Sequence, residues 1–159
     1  MRTVIQRVNR ASVTVDGSVI GEIGRGLCLL IGITHDDSDD DLNYIVEKTL
    51  KMRIFPPEES GPGESGFDRS VQDIGGGLLL ISQFTLYAST RKGRRPGFTD
   101  AARPEHAGPM FDKVVDAFRF SGLHVQTGKF GAFMDVEIEN AGPVTISLDS
   151  ADRNTPRRG

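Results

Sequence analysis

The chain has 159 residues and a formal net charge of −3, with 37% hydrophobic and 26% charged residues. That length suits a single domain whose core stands without disulfides, and the lone cysteine, Cys28, excludes a disulfide framework. A mildly acidic chain does not hold nucleic acid by bulk charge, so any RNA contact must come from a local basic patch.

Residues 1–15 read as a bent strand with Ala11, Val13 and Val15 on one face, and Asp16-Gly17 is a hairpin turn signal leading into a partner strand at 18–23. The continuous apolar run at 26–33 predicts a strand covered on both faces, with Cys28 as a buried structural thiol of a reducing compartment. From Asp40 to Met52 the spacing of Leu42, Ile45, Val46, Thr49 and Leu50 changes to one helical stripe. The acidic run at 36–41 suits the positive end of that helix and reads as helix capping and a solvated surface. A calcium loop is excluded: starting from Asp37, it would put Leu42 where glycine is needed and Lys48 where a bidentate glutamate is needed.

Residues 56–66 read as a polar loop. Its Gly61, Gly63 and Gly66 spell a dinucleotide fingerprint but sit among prolines rather than between a strand and a helix. A buried strand at 77–81 delivers Ser82, Gln83, Phe84 and Thr85 at its C-terminal end, where pockets form in α/β sheets. The basic segment 91–96 follows, flanked by Phe98, and then a helix over about 104–121 carries Met110, Val114 and Phe118 on one stripe and stops at Gly122. A strand near His124-Val125 leads to two alternating runs, Met134/Val136/Ile138 and Val144/Ile146/Leu148. Their spacing reads as a closing hairpin across Asn140-Ala141-Gly142-Pro143. A Gly-Pro step at such a turn is one of the few places where a cis peptide is accessible. The expected fold class is α/β: one domain over 1–150, with mixed, barrel- or roll-like sheets, two main helices packed to one side, and a polar frayed tail at 151–159. No run reaches the roughly 18 apolar residues of a membrane span and no signal-peptide core opens the chain, so a soluble, cytoplasmic protein is expected.

For chemistry, the three histidines, His35, His106 and His124, lie far in sequence from Ser82 and Thr85. A nucleophile elbow, a His-Glu-x-x-His helix and paired cysteines are all missing from the sequence. Neither a metal nor any other cofactor is expected. On residues alone, Phe130 and Met134 read as ordinary core, Arg7 as a surface residue, and the 91–96 cations as a solvated face.

Two stretches together, Ser82-Gln83-Phe84-Thr85-Leu86 and Asn140-Ala141-Gly142-Pro143-Val144-Thr145, resemble the signatures of the D-aminoacyl-tRNA deacylases. The resemblance runs the length of the chain, through residues 1–8, 21–26, 53–55, 92–96 and 128–134, with Gly97 where a serine is common in the family. It implies a homodimeric esterase that cleaves D-aminoacyl-tRNA, and also glycyl-tRNA mischarged on tRNA(Ala), to free tRNA and amino acid. Ser82, Gln83, Phe84 and Thr85 would shape the adenosine and carbonyl site, with their backbone N–H groups as oxyanion donors. The 2′-hydroxyl of the terminal adenosine would assist an attacking water, with Thr85 as nucleophile the competing idea. The resemblance further implies that a cis Gly142-Pro143 element enters the partner's active site and rejects L-aminoacyl esters, with Arg7 as its anchor and Phe130 and Met134 in the pocket. Lys92, Arg94 and Arg95 would meet acceptor-stem phosphates. The rival reading is a small esterase or amidase of another substrate, with Ser82 or Thr85 as nucleophile; a non-catalytic RNA-binding module is the alternative outside enzymology.

Overall fold

The computed structural model describes residues 1–59 and 66–155. Among them six strands and two α-helices follow in the order β1 (Arg2–Val15), β2 (Ser18–Ile23), β3 (Gly26–Gly32), α1 (Asp39–Lys51), β4 (Gly77–Ser82), α2 (Pro104–Arg119), β5 (Val125–Thr127) and β6 (Asp135–Asp149). They form one mixed sheet ordered β2-β1-β3-β4-β5, with β6 along the other side of β1. Asp16 and Gly17 both have positive φ, 50° and 78°, as the tight β1–β2 hairpin requires. Pairing is antiparallel around β1 and parallel from β3 to β4 to β5. Most of the dinucleotide-like glycine run, including Gly61 and Gly63, lies outside the described residues. Among the described residues no helix is long and apolar enough to cross a membrane.

The apolar run of β3 is buried on both faces, and its alternation divides it between two cores. Leu27, Leu29 and Ile31 face α1 and α2, joining Leu78 and Leu80 of β4 with Ile45, Val114 and Phe118 of the helices. Cys28 faces the inside of the rolled sheet with Leu79, Ile81, Val8 and Val13. Period-two alternation in a strand covered on both sides therefore sorts side chains between layers rather than between core and water. Burial pushes the Cys28 thiol up to about 12, so it stays protonated and inert at neutral pH.

The closing element differs from the expected hairpin. Both alternating runs belong to one strand, β6, which pairs antiparallel with β1 throughout. Between Gln6↔Thr145 and Val8↔Asn140, two steps along β1 stand opposite five along β6, so residues 141–143 bulge out of a continuous ladder. The Gly142–Pro143 peptide is cis, and Gly142 has φ 126°.

The acidic run before α1 is not simply a solvated surface. Ser38 and Asp41 form a reciprocal capping box, and Asp37 and Asp41 are buried. Asp37 accepts from the Met1 ammonium and from the Thr34 N–H at 2.8 Å. Asp41 accepts from Ser38 N at 2.9 Å, from the Ser150 hydroxyl at 2.7 Å and from Arg153. The stretch expected to fray thus begins with a 3₁₀ turn, Ser150–Asn154, tied to α1. Burial pushes the Asp41 carboxyl up, but the donors from Ser150, Ser38 and Arg153 together outweigh it and hold the group well below the ordinary carboxylate range. A depressed folded-state pKa stabilises the fold above the unfolded value of about 3.9 and loses that contribution as pH falls further. Asp41→Asn is therefore expected to lower stability by about 2 kcal/mol at pH 7. In urea unfolding the gap from the unaltered protein should narrow below about pH 4; a gap constant down to pH 2 would contradict this account.

Candidate active site

The C-terminal end of β4 runs straight into a 3₁₀ turn, Phe84–Tyr87, because Gln83 leaves the extended conformation (φ −142°, ψ 82°) and the chain folds over β3. The Gln83 N–H donates to the Ile31 carbonyl at 2.7 Å, extending the β3–β4 ladder by one bond. That N–H is consequently unavailable as an oxyanion donor. Phe84 and Thr85 open the 3₁₀ turn, so their N–H groups have no acceptor within it.

Ser82, Gln83 and Phe84 line a cavity of about 590 Å³ together with Phe130 and Met134. The structure thus gathers five of the residues singled out in the sequence. Phe130 and Met134 both line the pocket, and Met134 also packs against the core inside the roll, as expected; Phe130 is 38% exposed and lies against α2 where Gly108 leaves room, a Cβ there standing 3.6 Å from its ring. The opposite wall was not legible in sequence. Phe98 meets Phe84 edge to face with ring centroids 5.0 Å apart, and Ala101, Ala102, Arg103 and Ala107 continue the lining into α2. Its backbone is tied to the end of β3, where Ala102 N–H donates to the Ile33 carbonyl at 2.9 Å and the Thr34 hydroxyl to the Asp100 carbonyl at 2.5 Å. Only the neighbouring basic run hinted at Phe98, and small residues such as Ala107 leave no sequence mark.

Thr85 is exposed beside the cavity and its hydroxyl accepts from the Gln83 amide. Among the described residues no histidine bonds to Ser82 or Thr85; His35 sits against the Thr99 carbonyl at 2.8 Å. Lys92, Arg94 and Arg95 are exposed in a loop closed by paired hydrogen bonds between Ser89 and Gly97 at 2.8 and 2.9 Å. That loop springs from the same wall as Phe98.

Arg7, Gly142 and Pro143 form a second constellation, outside the lining of that cavity. Arg7 is 6% exposed, contrary to its reading as a surface residue. Its Nε donates to the Ala141 carbonyl at 2.9 Å and its Nη1 to the Ile54 carbonyl at 2.5 Å. Burial, with nearby Arg25, lowers its pKa, yet a guanidinium remains charged at any ordinary pH. The buried fork thus ties the bulge down from beneath while Gly142 and Pro143 stay exposed. Extra volume under the bulge is lacking: a Cβ on Gly142 would stand 2.7 Å from Arg7 Nη2.

Chemically, this is an apolar cleft in which, among the described residues, no general base is bonded to the hydroxyl of Ser82 or Thr85. A family model described as D-Tyr-tRNA(Tyr) deacylase matches residues 4–149. The chain belongs to this family and is a hydrolase acting on carboxylic ester bonds. A D-aminoacyl-tRNA deacylase of Chloroflexus aurantiacus is 51% identical over 158 residues, covering 99% of this chain and 96% of the relative. One from Bacillus cereus is 53% identical over 150 residues, covering 94% and 99%. The solved structure of a c-Myc DNA Unwinding Element Binding Protein is similar with TM-score 0.86 at 41% identity, over 94% of this chain and 98% of that one. That of a probable eukaryotic D-amino acid tRNA deacylase shares the fold with TM-score 0.81 at 18% identity, covering 93% and 98%.

Proposed function

We propose that this enzyme, a D-aminoacyl-tRNA deacylase, discriminates by handedness through the Arg7-anchored bulge of a second copy of the chain. The terminal adenosine and the ester lie in the cavity beside Ser82, Gln83 and Phe84, and the N–H groups of Phe84 and Thr85 take the developing oxyanion. Carbonyls of the partner's bulge accept the substrate ammonium, and its rigid backbone leaves no volume for an L side chain. Glycine has no side chain to reject, so glycyl-tRNA also passes. The observation that carries this reading is an exposed turn whose backbone is fixed from below by a buried guanidinium, yet lies outside the cavity of its own chain. Lys92, Arg94 and Arg95 meet the acceptor stem, making turnover fall with salt.

Water attacks with help from the 2′-hydroxyl of the substrate, since Ser82 and Thr85 have no adjacent base among the described residues. Cleavage of D-tyrosyl-tRNA, with the L form spared, tests the reading. Thr85→Ala should keep turnover within about threefold, whereas a 2′-deoxy terminal adenosine should reduce it by about a hundredfold or more. Complete loss in Thr85→Ala, with the deoxy substrate still cleaved, would instead make Thr85 the nucleophile.

A further inference from the structure

Among the described residues Arg103 is the only charged one lining the cavity, whose walls are otherwise apolar or neutral. It is exposed, and among the described residues it has no ion-pair partner. Its backbone is held on both sides: the preceding N–H, of Ala102, donates to Ile33 O at 2.9 Å, while its own carbonyl caps α2 by accepting from His106 and Ala107 at 3.0 and 2.9 Å. A free guanidinium on a pinned backbone at the rim of an apolar cleft is a poor solvated ornament and a good anion receptor. Low-dielectric walls concentrate its field, and its flat fork matches two phosphate oxygens.

Resting on the deacylase reading above, we infer that Arg103 forms a phosphodiester subsite at the cavity mouth. It contacts the phosphate that joins the terminal adenosine to the preceding nucleotide. An aminoacyl ester and its adenosine carry no anion of their own, so this phosphate is the first negative group met on leaving the cavity along the RNA. Arg103 is then distinct from Lys92, Arg94 and Arg95: it acts on the single-stranded end, within one nucleotide of the reacting carbonyl, whereas the loop cations act farther out.

Two minimal substrates separate this role from general packing. D-tyrosyl-adenosine has no phosphate; the D-tyrosyl ester of cytidylyl-(3′→5′)-adenosine has one. Arg103→Ala is expected to lower kcat/KM about tenfold on the dinucleotide ester, mainly through KM, and to change the adenosine ester by less than about twofold. Arg103→Lys should recover part of the loss. On D-tyrosyl-tRNA the slope of log(kcat/KM) against log salt should become shallower by about 0.7 in Arg103→Ala, as for one lost contact to a single strand. An equal loss on both esters, or no loss on either, overturns the inference while leaving the deacylase reading intact. An unaltered enzyme that cleaves neither these esters nor D-tyrosyl-tRNA would sink that reading and the inference together.

Discussion

Arg7→Ala is expected to abolish most productive turnover of D-aminoacyl-tRNA, by about a hundredfold, while the protein still folds. The side chain is buried and its two hydrogen bonds, to Ala141 O at 2.9 Å and Ile54 O at 2.5 Å, go to main-chain carbonyls. Removing it strands those acceptors and leaves space beneath the bulge, a loss of about 2–4 kcal/mol in stability. The larger consequence is positional: if the bulge holds substrate as proposed, a shift of about 1 Å in it is enough for a hundredfold fall in rate. Gly142→Ala approaches the same point from the other side, because its new methyl would stand 2.7 Å from Nη2 and 3.0 Å from Val144 Cγ2, at a φ of 126° that side chains rarely adopt. Both variants should also spare L-aminoacyl-tRNA less well. Kinetics with paired D and L substrates, alongside circular dichroism to verify folding, measure this; undiminished turnover with intact discrimination in both would refute the role given to the bulge.

Gly26→Ala should be the most damaging single methyl in the scaffold. Gly26 and Gly77 sit opposite one another where β3 and β4 pair in parallel, and a Cβ on Gly26 would lie 1.9 Å from the Gly77 carbonyl oxygen. The obstacle is backbone, which cannot rotate aside, so the strands must part at the start of the ladder that ends at Ser82. A loss of about 3 kcal/mol is expected, the upper end for overpacking, and a fall in Tm of roughly 6–12 °C for a chain of this size. Gly24→Ala is the control, since nothing lies within 4 Å of its would-be Cβ, and surface changes of that kind usually stay within about 0.5 kcal/mol. Thermal melts that show the two variants alike would contradict the close strand approach.

Much of the scaffold was legible because local pattern and tertiary outcome agree. The Asp16-Gly17 turn, the apolar run of β3 and the stripe of Leu42, Ile45 and Leu50 each need only near neighbours to declare themselves. The Ser82–Thr85 segment was legible as a pocket edge for the same reason, standing where a buried strand stops. The misreading of residues 134–149 has a physical source. Alternation on either side of Gly-Pro is identical for a hairpin and for a bulged single strand; register against β1 decides between them, and the side chain filling the bulge lies 134 residues away. On residues alone Arg7 was hidden likewise, because its carbonyl partners belong to the backbone and leave no trace in residue identity; only the family resemblance pointed to it as an anchor. The Phe98–Arg103 wall arises from bonds to the end of β3, again beyond local pattern.

The displaced residues of β6 also divide the labour of one long strand. Before them Val136 and Ile138 complete the interior of the roll; after them Val144, Ile146 and Leu148 serve the helical layer. The kink proposed to act as the stereochemical element is thus a seam between two hydrophobic compartments, and trimming it to a regular ribbon would leave one compartment unroofed. If the bulge discriminates by handedness as proposed, the demands of a sound scaffold and of chiral fidelity fall on the same few peptide units, and a change there touches both.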